Sequence, residues 1–156
     1  MDQASSLTAI LEDAWEFAKV MLGKAGEFYP FAETADGSGG RAMLGGFLGE
    51  EHPDPRSLYV FLKDSLARQV AEGKVCAVAL AANVDVPKEY DSKYPDAIRV
   101  HIEAPGYARY VYLPYRVEPQ TAAGRLFHRP NKTAYAEPFS VDIPPVFFPP
   151  GDLAKD

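Results

Sequence analysis

The chain has 156 residues, of which 47% are hydrophobic and 24% are charged, and its formal net charge is −6. This length suits one domain, since domains usually have about 100–150 residues, and the composition is ordinary for a globular protein. Lys and Arg are scattered along the chain, whereas a nucleic-acid-binding protein usually carries a basic face. We therefore expect no nucleic-acid partner.

The only cysteine, Cys76, excludes an intramolecular disulfide and gives no support to an oxidising compartment. The first residues lack the basic and apolar regions of a signal peptide. No apolar run approaches the roughly 20 residues that a membrane helix needs. These features predict a cytoplasmic protein with no membrane partner.

The first predicted element is an amphipathic helix. Ser5 or Ser6 is expected to cap its N-terminus, and Gly23 or Gly26 its C-terminus. Its apolar residues recur at helical spacing and predict a buried stripe: Leu7, Ile10, Leu11, Ala14, Trp15, Ala18, Met21 and Leu22.

A β-hairpin is predicted next, with strands at residues 27–31 and 41–48. The turn between them contains Asp36-Gly37, a pair that favours a tight reversal. Pro30 lies inside the first predicted strand, which suits an edge position or a bulge.

A second helix is predicted after a polar linker, with Asp54 or Ser57 as its cap and Glu72-Gly73 at its end. Its predicted buried stripe comprises Leu58, Phe61, Leu62, Leu66 and Val70.

Three strands are predicted after the second helix, and a further short strand is an alternative to irregular structure after them. Residues 75–86 are nearly all apolar, which is typical of a central strand covered on both faces. Residues 98–103 alternate between apolar and polar, which predicts a half-buried strand. Residues 107–116 pair with them as a hairpin, and residues 133–141 are the candidate for the further strand.

The predicted fold is a single α/β domain over residues 1–142. It has a mainly antiparallel sheet of about five strands, two helices on one face, and the order α-β-β-α-β-β-β. Residues 143–156 form an extended Pro-rich tail that packs on this domain or on a partner, and packing on its own domain is favoured. The predicted core includes Leu11, Trp15, Leu62, Leu66, Val78 and Leu80.

The element order over about residues 6–116, with Asp36-Gly37 between the first two strands, resembles that of roadblock and other profilin-like α/β sandwiches. The stretch from Gly26 to Ala32, continuing to Asp36-Gly37, is similar to bacterial proteins of uncharacterised function. The first resemblance implies a fold, and the second implies no activity. Fold similarity alone does not assign a function.

Two groups of residues are candidates for chemistry. Glu50, Glu51, His52 and Asp54 place carboxylates beside an imidazole and are the candidate metal ligands, although a solvated acidic loop before a helix is the favoured interpretation. His101 with Glu103 is the candidate acid–base pair, but two solvent-facing residues on one strand are favoured there. No nucleophile or phosphate-binding motif is present, and no cofactor is expected.

The strand at residues 107–116 is rich in tyrosine and arginine. These two residue types are common among the few residues that contribute most of the binding energy at protein interfaces. The predicted interface residues are Tyr107, Arg109, Tyr110, Tyr112 and Tyr115. We therefore expect a non-enzymatic binding or regulatory protein that contacts a protein partner or itself as a homodimer, with the tyrosine-bearing hairpin or an edge strand in the contact. The alternative is a metal-dependent or hydrolytic enzyme that uses a His/carboxylate site.

Overall fold

The computed structural model describes residues 2–45 and 54–149. Within them the chain forms helix α1 at Gln3–Ala25, strands β1 at Phe31–Ala35 and β2 at Arg41–Gly45, and helix α2 at Pro55–Ala71. Then come β3 at Ala77–Asp85, a 3₁₀ turn at Lys88–Tyr90, β4 at Asp96–Ala104, β5 at Tyr107–Val117, α3 at Ala122–Leu126, β6 at Thr133–Tyr135 and β7 at Phe139–Asp142.

These strands form one open antiparallel sheet with the spatial order β2-β1-β3-β4-β5-β6. The seventh strand, β7, pairs with β5 as well, because β6 and β7 occupy successive stretches of the same β5 edge. The mixed α/β class and the antiparallel sheet are confirmed. The sheet has seven strands where about five were predicted, because residues 133–141 form parts of two short strands with Pro138 between them.

The two long helices cover opposite faces of the sheet, so the prediction that both lie on one face is wrong. Successive side chains of a strand point to opposite faces of the sheet, so β3 contributes side chains to the core on both faces. Ala77, Ala79 and Ala81 pack in the core under α1, whereas Val78 and Leu80 pack in the core under α2. We call these the α1 face and the α2 face.

Helix α1 is capped at its N-terminus by Asp2, whose side chain accepts a hydrogen bond of 2.7 Å from the Ser5 N–H. It ends at Gly26, which has a φ of 76° and whose N–H donates to the Leu22 carbonyl. Glycine adopts this left-handed conformation without the cost of a Cβ. The predicted cap at Gly26 is thus confirmed, while the N-terminal cap lies before the predicted serines.

The first strand starts at Phe31, so the prediction of a strand over residues 27–31 is wrong in position. Phe28 precedes the strand in the chain, and its side chain is nevertheless buried in the α1-face core. Since Pro30 has no N–H to donate to a sheet ladder, pairing begins only after it.

Most of the predicted core residues are buried, namely Leu62, Leu66, Val78 and Leu80, while Leu11 and Trp15 are partly buried against the α1-face core. Phe61 was predicted to be buried, but its side chain is 48% exposed. Because Leu58, Leu62 and Leu66 already form a straight i, i+4, i+8 row toward the sheet, Phe61 lies off that row.

The last described part of the chain, which we call the strap (residues 143–149), lies on the α2 face. Phe147 and Phe148 are buried there in the same core as the leucines of α2. None of the described helices is both long and apolar enough to cross a membrane.

Candidate functional site

The two polar side chains predicted on β4 are buried. His101 is 2% exposed and Glu103 is 0% exposed, and the distance from His101 Nε2 to Glu103 Oε1 is 2.8 Å. An ionised carboxylate only accepts hydrogen bonds, so the Nε2–H of His101 donates. The interpretation of this pair as solvent-facing is therefore wrong, because the strap covers the sheet at this point.

The strap binds Glu103 through its backbone. The N–H of Val146 lies 3.0 Å and 3.1 Å from the two carboxylate oxygens, and those of Phe147 and Phe148 lie 2.8 Å and 2.7 Å from Oε2. Three consecutive N–H groups thus converge on one carboxylate, as in the backbone nests that bind anions.

Burial raises the pKa of the Glu103 carboxyl, but the hydrogen bonds from His101 and from the three strap N–H groups outweigh burial. The resulting pKa is below the ordinary value of a glutamate. The carboxylate is therefore ionised at neutral pH, and both of its oxygens accept hydrogen bonds from the fold. An acid–base role for His101 and Glu103 stays a prediction.

A third polar side chain of β4, Arg99, lies beside this pair among aromatic rings. Its Nη2 donates a 3.0 Å hydrogen bond to the Tyr59 hydroxyl of α2, and its guanidinium lies 4.3 Å from the centre of the Tyr110 ring. The Tyr110 ring also packs against the His101 ring, with 5.4 Å between the two ring centres. A cation over an aromatic face is stabilised by the ring quadrupole, so Arg99 is held against the Tyr110 ring, which in turn packs against the His101 ring.

The predicted interface residues of β5 are divided between the two faces. Tyr107 and Tyr115 lie with the α1-face core, whereas Tyr110 and Tyr112 lie on the α2 face. Tyr112 and Tyr115 are each 4% exposed. Burial raises the pKa of Tyr115 to about 12, and its hydroxyl donates to Asn83 Oδ1 at 2.6 Å.

The outer edge of β5 is already paired. Residues of β6 and β7 form its ladder, and Arg109 contacts Asp142 at 2.6 Å. The sequence predicted a dimer contact through this strand and left open that residues 133–150 of the same chain cover it instead. An interface role for these tyrosines and for Arg109 stays a prediction.

The predicted metal ligands are only partly described. Glu50, Glu51 and His52 lie outside the described residues. Asp54 is the N-cap of α2, where its side chain accepts from the Ser57 N–H at 3.2 Å and from the Ser57 hydroxyl at 2.7 Å. Among residues 2–45 and 54–149, no group of three or more His, Cys, Asp and Glu side chains is placed to hold a metal ion.

Sequence reasoning missed a surface at the other end of the sheet, beside β2. Along this five-residue strand Arg41, Ala42, Met43 and Gly45 are exposed, and no described strand pairs with its outer edge. Met43 is 42% exposed, and α1 presents Phe17 and Val20, which are 37% and 42% exposed. We call β2 with these side chains the β2 edge. The signal was present in the sequence, since Phe17 and Val20 lie off the main apolar stripe of α1.

A charged cluster joins α1 to the β2 edge. Arg41 contacts Asp13 at 3.0 Å and approaches Glu33 at 4.0 Å. Glu33 is 4% exposed, and its Oε2 is buried without a hydrogen-bond partner. Burial, together with the neighbouring Asp13 carboxylate, raises the pKa of Glu33 to about 8. This carboxyl is therefore mainly neutral at pH 7.

Comparison of the chain with protein-family models, with curated proteins and with solved structures finds no match.

Proposed function

We propose that this protein is a cytoplasmic, non-enzymatic binding module that acts through protein contacts, and that it self-associates through the β2 edge. The observation that carries the proposal is the outer side of β2, which presents backbone groups with no partner strand among the described residues. Unpaired edge groups form a ready template for another strand.

The opposite end of the sheet is better protected against such pairing. There the terminal strands β6 and β7 have three and four residues, and prolines at 138, 144 and 145 flank them. Short strands and prolines are common devices that block edge pairing. The five residues of β2 include no proline, so β2 is the edge more open to a second strand.

Apolar side chains beside β2 add a second attraction. Phe17 packs against Phe31 with ring centres 4.7 Å apart, and Phe31 is the register partner of Gly45 on β2. The exposed Phe17 and Met43 therefore lie on the α1 face near β2, on the side of the sheet where a second copy paired to β2 would pack. Burial of such side chains supplies most of the free energy of association.

Pairing of β2 with β2 of a second copy would be antiparallel and symmetric. A two-fold axis between the Met43 residues of the two copies would place one β2 beside the other and continue the sheet through the dimer. Two-fold dimers are the commonest oligomers, and they require a surface that complements itself. An antiparallel strand pair meets that requirement.

Light scattering coupled to gel filtration tests the proposal. We expect the wild-type chain at micromolar concentration to show twice the 17.1 kDa mass of one chain. Met43→Lys is expected to raise the dimer dissociation constant at least about tenfold, because it places a charge in the contact. Val60→Lys is the matched control, since Val60 is 51% exposed and lies on α2, across the sheet from α1.

Two results would contradict the β2 contact. One is a wild-type chain that stays monomeric at every concentration tested. The other is a dimer that survives Met43→Lys but is lost in Tyr107→Ser, which would move the contact to the tyrosine-bearing hairpin of β5. Circular dichroism of each variant establishes that it remains folded.

A further inference from the structure

The strap is held to the sheet without continuing a strand ladder. The N–H of Ile143 still donates to the Ala108 carbonyl at 3.3 Å, after which the strap forms no strand. Its polar attachment is then the Glu103 carboxylate, which receives the N–H groups of Val146, Phe147 and Phe148. The strap is therefore separable from the domain without unpairing any of the seven strands.

The apolar attachment of the strap is a pair of adjacent aromatic side chains. Phe147 is 7% exposed and Phe148 is 8% exposed. The Phe147 ring lies 5.0 Å from the His101 ring, and both phenylalanines share a core with Leu58 and Leu62 of α2. The sheet and α2 thus form a groove that accepts two aromatic rings beside a buried carboxylate.

The groove recognises backbone N–H groups and aromatic side chains, which a peptide of a partner protein can also supply. Backbone N–H groups are common to all residues except proline, so Glu103 selects a backbone shape, while the apolar walls select aromatic side chains. Prolines at 144, 145 and 149 flank the aromatic pair. They restrict the backbone conformations of the free segment, which reduces the conformational entropy lost on binding.

We propose that the groove under the strap is a peptide-binding site for a partner protein, and that the strap is its resting occupant. The partner segment has two adjacent aromatic residues preceded by prolines, and its backbone N–H groups bind Glu103. His101 is a positioning residue that holds the carboxylate toward the groove. This site lies on the α2 face, so it does not depend on self-association through β2.

The test uses the full chain with its own strap weakened. In the opened variant, Phe147→Ala plus Phe148→Ala, the backbone remains but the two rings are gone. The probe is a fluorescein-labelled peptide with the sequence of residues 143–149, blocked at both ends, and its binding is followed by fluorescence anisotropy. We expect saturable binding to the opened variant. Wild type is expected to bind at least about tenfold more weakly, because its own strap competes at a millimolar effective concentration.

Three controls separate recognition from general stickiness. The same peptide with both phenylalanines replaced by alanine is expected to bind at least about tenfold more weakly. Adding Glu103→Gln to the opened variant is expected to have a similar effect, since it removes charge-assisted hydrogen bonds. Phe127→Ala changes a phenylalanine that is 64% exposed outside the groove, and this variant is expected to behave as wild type.

A folded opened variant that binds neither peptide at millimolar concentration would overturn the proposal, as would equal binding of the two peptides. If the double variant does not fold, Phe148→Ala alone is used, and absence of binding to that variant would equally overturn the proposal. A wild-type dimer that becomes monomeric in the opened variant would assign the groove to the strap of a second copy and would also overturn the proposal.

Discussion

At the scale of single residues, Glu103 shows how a buried charge is kept ionised. Removal of a carboxylate from water is costly, and the cost is offset only when hydrogen bonds replace the lost hydration. Here His101 and three strap N–H groups supply them. The carboxylate and the strap therefore stabilise each other, and loss of either leaves unpaired polar groups inside the protein.

Replacement of Glu103 with glutamine tests this mutual dependence. Glu103→Gln keeps the shape but loses the charge, so we expect it to lower the free energy of unfolding by about 2–4 kcal/mol. Urea denaturation measures the difference. Glu72→Gln is the matched control, because Glu72 forms its 2.7 Å ion pair with Lys74 on the surface, and an exposed pair contributes less than about 1 kcal/mol. Equal losses in the two variants would argue against a special role for Glu103.

The burial of Glu103 could not be predicted from the sequence. The alternation of Ile98, Val100 and Ile102 with Arg99, His101 and Glu103 correctly indicates a strand, since the period of two is a local property. It does not show which face meets water. That depends on residues 146–148, which lie more than 40 positions later in the chain, and no local pattern joins a carboxylate to backbone N–H groups at that distance.

At the scale of elements, the start of α2 is set by one side chain. Asp54 accepts from the N–H and the hydroxyl of Ser57, and Pro55 occupies the first turn, where its missing N–H costs nothing. The Ser57 hydrogen bonds hold the pKa of Asp54 below its ordinary value. Asp54 was one of the two N-caps predicted from the sequence, because a short polar side chain just before a row of apolar residues is a local signal of a helix start.

Substitution of the cap gives a prediction for this element. Asp54→Ala is expected to lower the free energy of unfolding by about 1 kcal/mol, while Asp54→Asn changes it by less than about 0.5 kcal/mol, since asparagine caps equally well. Asp64→Ala is the matched control within α2, and it is expected to be neutral or slightly stabilising because alanine favours helix interiors. Thermal denaturation distinguishes the three variants. A similar loss in Asp54→Ala and Asp64→Ala would contradict the capping role.

Elements were easier to predict than their arrangement. The positions of α1, α2, β3 and β5 follow from periodicity and from glycine, which act over a few residues. The face that each helix covers follows from β3, whose alanines alternate with Val78 and Leu80 and suit a helix on both sides. A run of apolar residues predicts two covered faces but does not say which element covers each one. Helix α3 was not predicted, since its five residues carry no apolar period.

At the scale of the whole molecule, two buried carboxyl groups lie on opposite faces of the sheet. They make the free energy of unfolding change with pH in opposite directions. Glu103 on the α2 face has a pKa below its ordinary value, so its stabilising effect is lost as the pH falls into the acid range. Glu33 on the α1 face has a raised pKa, so the folded state keeps a proton that the unfolded chain has already released. Stability is therefore expected to be greatest in mildly acidic solution.

The Glu33 contribution has a defined pH range. Between the ordinary pKa of 4.5 and the folded pKa of about 8, the folded protein binds one more proton at this group than the unfolded chain does. The free energy of unfolding must then decrease as the pH rises through this range, because it falls wherever the folded state holds more protons. The groups that face Glu33 are Asp13 of α1, which favours its neutral form, and Arg41 of β2, which favours its ionised form.

Glu33→Gln isolates this effect, because glutamine resembles the protonated side chain but cannot titrate. Urea denaturation at pH 5, 6, 7 and 8 is expected to show wild type losing stability toward pH 8, by about 1 kcal/mol or more, since one pKa unit corresponds to about 1.4 kcal/mol. Glu33→Gln is expected to lose markedly less, and to be the more stable protein at pH 8. Glu16→Gln serves as the control and is expected to follow the wild-type profile. A Glu33→Gln profile parallel to that of wild type would show that Glu33 ionises normally, and the α1 face would then hold an ionised carboxylate compensated by Arg41.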